Sequence, residues 1–197
     1  ENKTDVHTVT AEIIGCSRQD AKAHTFKPLY GGTTGTPDQQ RYYRTFKEKY
    51  AGVADWHETL QRQAVEKGYI ELPSGRQYAF PGTTWTKYGT ATNRTSICNY
   101  PVQGFATGDL LPISLVYLDK SMKSKELKSV ICNTVHDSIV LDVFPGEEDT
   151  CTELVVEAMM SLPEECRRRY GIEYDMPISV EVKMGSNWLD TEVVYAN

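Results

Sequence analysis

Apolar side chains recur at helical spacing at the start of the chain, where Val6, Val9, Thr10, Ile13 and Ile14 predict a helix from Asp5 that Gly15 stops. Ser17 is placed to cap a second helix over residues 18–30, whose last turn Pro28 should loosen. The turn-rich run 31–37 then breaks the pattern. Residues 38–67 carry Tyr42, Tyr43, Phe46, Tyr50 and Trp56 as an apolar face and predict two helices parted at Gly52. A hairpin is expected over 68–81, turning at Pro73-Ser-Gly75, with a polar loop after it. Next come a helix over 101–118 kinked at Pro112 and a basic connector at 121–128.

Two short apolar runs within 130–143 hinge at His136-Asp137, the pattern of a second hairpin. Leu154, Ala158, Met159 and Leu162 share one helical face, which Pro163 divides. Acidic residues 147–149 open that helix and Arg167 to Arg169 close it, as the helix dipole favours. Alternation over 178–184 predicts a strand, followed by a turn at 185–188. Helices first, then helix, hairpin, helix and strand, predict an α+β fold with an antiparallel sheet in the second half.

The length of 197 residues allows one large domain or two small lobes. No apolar run approaches the ~20 residues of a membrane span, and the first residues carry no signal-peptide pattern. A soluble protein is therefore expected, with no membrane partner. Five cysteines, odd in number and without metal-binding spacing, read as free thiols rather than a zinc site. The net charge of -6 hides an asymmetry. Residues 1–94 hold 13 Lys and Arg against 10 Asp and Glu, and residues 95–197 hold 8 against 17. The first half could thus meet an anionic partner that the total charge argues against.

Chemistry concentrates in two segments. On a helix, Arg18, Lys22, Phe26 and Tyr30 project from one side a turn apart. Such a stripe suits a nucleoside triphosphate, with the cations on phosphates and the aromatics against a base. An ordinary amphipathic helix would share the spacing. Asp137, at the hairpin hinge, can stand clear of a sheet as a ligand for Mg²⁺, although a hydrogen-bonded turn explains His136-Asp137 equally well. A two-ion site needs a second carboxylate, and Asp142, at odd spacing, falls on the other strand face.

These segments stand in a longer series of matches. Arg18-x3-Lys22-x3-Phe26-x3-Tyr30-Gly31 resembles motif B of the family A (DNA polymerase I-like) DNA polymerases, and Val135-His136-Asp137 resembles their motif C. Asp5-Val-His7-Thr8, Gly68-Tyr-Ile with Gly75-Arg76, Arg94-x4-Asn99-Tyr-Pro-Val-Gln103-Gly104 and Trp188 match further family segments in order. The chain is similar to the C-terminal part of such an enzyme, of phage type. The resemblance implies mostly helical fingers over 1–94 and, over 95–197, the C-terminal part of a palm whose antiparallel sheet packs on helices.

It also implies site roles. His7, Arg18, Lys22, Phe26 and Tyr30 would bind the dNTP, with Phe26 stacked on its base and Tyr30 beside the template base. Arg76, Arg94, Asn99, Gln103 and His136 would contact primer-template DNA. Asp137 would hold Mg²⁺, one of two ions in the complete site, and catalysis would rest on Asp137, His136 and Lys22. The implied activity is nucleotidyl transfer from a dNTP to a primer 3′ end, in the cytoplasm of a bacterial or phage-infected cell.

Two departures qualify the match. Ser138 replaces the usual Glu after the motif C Asp, and His-Asp-Ser is the form of single-subunit RNA polymerases. Phe26 and the Pro101-Val-Gln103-Gly104 segment favour DNA synthesis over that rival. Motif A, with the other catalytic Asp, is absent from these 197 residues, so an N-terminal polymerase portion carrying it is an expected partner. A non-catalytic DNA- or nucleotide-binding module is the remaining alternative.

Overall fold

Each of the first three helices begins where the sequence supplies an oxygen to cap it. The computed structural model describes residues 5–197, and in it Asp5 caps α1 (Val6–Ile14) by accepting the His7 backbone N–H. Ser17 caps α2 (Arg18–Leu29) by accepting the Asp20 N–H. Thr36 and Gln39 form a reciprocal capping box at the start of α3 (Pro37–Lys49), with Pro37 in the first turn. α4 (Ala51–Lys67) follows almost without a break, which falls at Tyr50 rather than at the expected Gly52.

The chain divides into two compact units, Glu1–Val102 and Gln103–Asn197. In the first, α1, α2 and α3 pack on one another, and α4 packs on the antiparallel hairpin of β1 (Tyr69–Glu71) and β2 (Gln77–Ala79). Leu60 and Ala64 of α4 meet Ile70, Phe80 and Ala91, together with Ile97 of α5 (Arg94–Gln103). Ile70 and Ile97 are fully buried, each worth about 1.5–3 kcal/mol of hydrophobic stabilisation.

The second unit has two apolar clusters. One joins Leu118 and Met122 of α6 (Leu111–Ser124) to Leu154 and Ala158 of α7 (Glu148–Met160). Ile131, Ile139 and Leu141, from the hairpin of β3 (Val130–Val135) and β4 (Ser138–Asp142), pack against them. This contact seats the motif C hairpin. The other cluster joins Leu110 and Ile113 to Leu162 and Cys166, the latter two on α8 (Leu162–Tyr170). β5 (Glu181–Met184) and β6 (Glu192–Ala196) form a third antiparallel pair.

The α+β expectation therefore holds, with differences of detail. The helix expected over 101–118 begins at Arg94, passes through a π-helical stretch at Gly104–Leu110 and continues to Ser124. The first half of the residues assigned to a connector at 121–128 thus continues α6. Pro112 lies within this continuous run, directly after the π-helical stretch, where the wider turn takes up the disturbance that a proline ring and its missing N–H impose on a helix. β6 was not expected, and the second half holds two separate hairpins instead of one larger sheet. α1 departs in part from its expected face: Thr10 of that face is buried, together with Ala11 beside it, whereas Val6 and Ile13 are 58% and 51% exposed. All five cysteines are free, and no helix among the described residues is long and apolar enough to cross a membrane.

His57 on α4 is buried and its Nε2 donates to the Leu29 carbonyl at 2.9 Å. Burial lowers its pKa below the ordinary 6.5, and nearby Arg94 and Lys47 push in the same direction. A histidine kept neutral by the fold contributes stability that is complete above its unfolded pKa and lost as pH falls through the lower folded value. Urea unfolding between about pH 8 and about pH 5 should show that loss in the wild type and a flatter profile in His57→Gln.

Candidate nucleotide and DNA site

The face of α2 that bears the candidate residues is set by what its other face buries. Ala21, Thr25 and Pro28 are buried at i, i+4 and i+7, which leaves Arg18, Lys22, Phe26 and Tyr30 to an adjoining stripe. Pro28 does not end the helix, because the turn closes around it. The Tyr30 N–H donates to the Phe26 carbonyl at 3.2 Å, and the Gly32 N–H to the Lys27 carbonyl at 2.8 Å. Gly31 sits at φ +76°, and a Cβ there would meet the Cys98 sulfur at 3.1 Å and Arg94 Nε at 3.3 Å. The backbone angle favours glycine, and a Cβ would oblige those two side-chain atoms to give by a few tenths of an ångström.

One carboxylate ties the starts of α1 and α2 together. Asp5 Oδ1 accepts the His7 backbone N–H at 3.1 Å. Asp5 Oδ2 accepts the Thr8 hydroxyl at 2.7 Å and Arg18 Nε at 2.6 Å. The Arg18 guanidinium, followed by the Thr8 hydroxyl, holds the Asp5 carboxyl well below the usual carboxylate range. His7 Nδ1 lies 3.1 Å from the Thr25 hydroxyl, and its ring meets Phe26 edge-on with centroids 5.5 Å apart. His7, Arg18 and Phe26 are thus drawn into one constellation. Lys22 is exposed beside it, and Phe26 is 45% exposed, open to a stacking partner.

Beyond the C-terminal end of α2, a cavity of about 280 Å³ is lined by Lys27, Tyr30, Gly31, Gly32, Thr33, Thr34, Arg94 and Thr95. Arg94, at the first turn of α5, has a buried Nε with no hydrogen-bond partner, and one turn further Asn99 has a buried Oδ1 in the same condition. Unsatisfied buried polar atoms cost about 1–3 kcal/mol each, so both mark places where a ligand or water would repay binding. Around Arg94, burial and then the guanidinium itself lower the Lys47 pKa, while burial pushes the Cys98 thiol up to about 11. Cys98 is therefore an inert thiol. Arg76 lies in the β1–β2 turn, where its N–H donates to the Ser74 hydroxyl at 3.4 Å. A larger hollow of about 520 Å³ beside the β5–β6 turn is lined by Met184, Gly185 and residues 189–192 and brings none of the motif residues together.

Gln103, His136 and Asp137 belong to the second unit. Val135 pairs with Ser138 across a turn made of His136 and Asp137 alone, and both turn residues are exposed. His136 adopts φ +56°, which the twist of a two-residue hairpin demands and a side chain resists. The Ser138 hydroxyl donates to the Val135 carbonyl at 2.8 Å and braces the turn from its far side. Among the described residues, no group of three or more His, Cys, Asp or Glu gathers to hold a metal ion.

Residues 1–190 match the family model described as DNA polymerase family A. The chain belongs to that family. DNA polymerase I of Lactococcus lactis subsp. lactis is 31% identical over 210 residues, covering 95% of this chain and 23% of that protein. DNA polymerase I of Pseudomonas aeruginosa is 30% identical over 205 residues, covering 93% and 21%. The chain therefore spans less than a quarter of the length of these family A relatives. In structure it resembles the POL domain of Pol1 from M. smegmatis, determined in complex with DNA primer-template and dNTP. The TM-score is 0.67 and the identity 22%, over 80% of this chain and 31% of that one.

Sequence reasoning placed Asp5 in a motif without giving it work, and read Ser138 only as a departure. Asp5 was legible as an N-cap two residues before His7. Its reach to Arg18 depends on how α1 packs on α2, which no spacing reveals. Asp5→Asn should keep the His7 amide protected, since Asn still caps, while exposing Arg18 Nε–H to faster hydrogen exchange by NMR. Unchanged Arg18 protection would mean that the carboxylate is not what holds it.

Proposed function

We propose that this chain supplies the nucleotide-binding helix and one metal-binding carboxylate of a template-directed DNA polymerase, which extends a primer 3′ end from dNTPs. The observation that carries this reading is α2 in a family A chain: exposed cations at its N-terminal end, then exposed Phe26 and half-buried Tyr30 at its C-terminal end, on one stripe. Residues 1–94 are read as fingers and 95–197 as the rear of the palm. The reading goes with a cytoplasmic setting in a bacterial or phage-infected cell.

In this reading Arg18 and Lys22 grip the triphosphate and stabilise charge that builds on the leaving pyrophosphate, with His7 beside them. The positive end of the α2 dipole adds to their field. Phe26 stacks on the incoming base, and Tyr30, at the rim of the 280 Å³ cavity, stands beside the template base. Asn99 and Gln103, one turn apart on α5, meet the minor-groove edge of the primer end, where acceptors are common to all base pairs. Arg76 and Arg94 hold backbone phosphates or neighbouring site residues. His136 approaches the primer-terminal phosphate.

Asp137 fits a divalent cation, being an exposed hard-oxygen donor at a turn. When bound, two Mg²⁺ ions would activate the primer hydroxyl and neutralise charge on the transferred phosphorus. The remaining carboxylates would come from the N-terminal polymerase portion carrying motif A.

Primer extension, with the chain joined to or mixed with that portion, tests the reading. Asp137→Ala should cut Mg²⁺-dependent extension by about a thousandfold or more, the scale of several kcal/mol of charge stabilisation. Full activity in that variant would overturn the assignment. Arg18→Ala should weaken dNTP use about ten- to a hundredfold, as loss of a charge-assisted hydrogen bond does. Phe26→Tyr should relax discrimination against dideoxynucleotides, read from chain-terminator incorporation.

A further inference from the structure

The loop 82–93, between β2 and α5, is built as a rigid arch. Trp85 and Ala91 pair as an isolated antiparallel bridge. The Thr86 N–H donates to the Thr90 carbonyl at 2.8 Å, and the Thr92 N–H to the Thr84 carbonyl at 2.9 Å. Threonine hydroxyls reinforce the frame: Thr92 Oγ1 accepts the Thr84 N–H at 3.1 Å, and the Thr86 and Thr90 hydroxyls lie 3.1 Å apart. The foot of the arch is fixed to the core, because buried Ala91 donates its N–H to buried Gln61 at 3.0 Å.

This frame holds two aromatic side chains in water. Trp85 is 48% exposed and Tyr88 is 79% exposed, with the Lys87 ammonium 5.0 Å from the centre of the Tyr88 ring. Large aromatics are normally drawn inside, and an ordered arch gives them no route to collapse. The segment of chain that carries them is positive. From residue 72 to residue 108 the sequence contains Arg76, Lys87 and Arg94 and no Asp or Glu, in a chain whose net charge is -6. Apart from Trp85 and Tyr88, the arch tip consists of threonines, Lys87 and Gly89 rather than further apolar side chains, which disfavours a protein partner.

We propose that the arch is a binding platform for single-stranded DNA, with unpaired bases stacked on Trp85 and Tyr88 and Lys87 against a phosphate. Every base has a face that an aromatic ring can cover, so the contact tolerates any sequence, and the cation supplies the electrostatic part. The choice of DNA as the strand rests on the polymerase reading, whereas the stacking surface does not. Its place on the chain is separate from the stripe on α2 and from Asp137.

The test is an anisotropy titration of a fluorescent oligothymidine with the 197-residue chain, without dNTP or Mg²⁺. Trp85→Ala and Tyr88→Ala should each weaken binding about fivefold or more, the contribution of one stacked base. Trp85→Phe should restore most of the affinity, which a merely misfolded variant would not. Lys87→Ala should lower the slope of log affinity against log salt by about 0.7, the value for one phosphate on a single strand. Wild-type affinity in both alanine variants would overturn the proposal, as would no binding by the wild type. So would alanine variants that bind DNA normally but fail to associate with the N-terminal polymerase portion, since that result assigns the arch to a protein contact. Because no chemistry is read, a failure here leaves the Asp137 and Arg18 assignments standing, and their failure leaves the arch.

Discussion

Everything proposed for the first unit depends on the seam that α2 buries. Ala21, Thr25 and Pro28 lock the helix against its neighbours, and α1 and α3 supply the surface they meet. The seam fixes rotation about the helix axis, which no hydrogen bond along the backbone can do. With rotation fixed, the order of side chains along the stripe becomes an order in space. Substituting a bulky residue for Ala21, which is fully buried, would turn the helix and redirect all four side chains of the stripe at once. The threonines serve the same end with polar contacts, since Thr25 joins the hydroxyl of Thr10 and the ring of His7.

The motif C turn solves a different problem. A two-residue hairpin needs positive φ, normally supplied by Gly or Asn, yet here the position is His136. The strain, about 1–3 kcal/mol for a non-glycine residue in such a conformation, is tolerated because the hairpin is anchored beneath by Ile131, Ile139 and Leu141 and braced across the turn by Ser138. On the proposed reading the turn must carry side chains, not hydrogens, at its tip. The replacement of the usual carboxylate by Ser138 thus removes a possible ligand and adds a support.

What could be read from the chain was local. The cap at Ser17, the division at Pro163 and the hinge at His136 each follow from one residue's chemistry. What escaped was set by packing. α1 was expected to turn Val6, Val9, Thr10, Ile13 and Ile14 inward, but of these only Thr10 is fully claimed by the interior, through its hydroxyl network with Thr25 and Tyr42, while Val6, Val9 and Ile13 stay exposed. Glu147 read as a helix-dipole charge, whereas it reaches back to the amides of Lys128 and Ser129 and fastens the start of β3. Those amides, with the Ser129 hydroxyl, hold its carboxyl below the ordinary range. The π-helical stretch at Gly104–Leu110 has no signature in spacing, because a single wider turn leaves the 3.6-residue period nearly intact. In the site, the α2 stripe and Asp137 were legible from spacing and motif, while the Asp5 bridge and the unsatisfied atoms of Arg94 and Asn99 were not.

Each hairpin among the described residues is a sheet of only two strands. Every strand in it therefore presents one row of open N–H and C=O groups, and such a row accepts a further strand. For β3 and β4 this makes geometry quantised. A strand that joined either edge would advance in steps of about 3.3 Å, and a shift of one residue would carry each of its side chains to the opposite face of the sheet. On the proposed reading of Asp137 as a metal ligand, a carboxylate arriving on such a strand could share its ion in alternate registers only. Register, rather than affinity between surfaces, would then be the quantity that decides whether a metal centre forms.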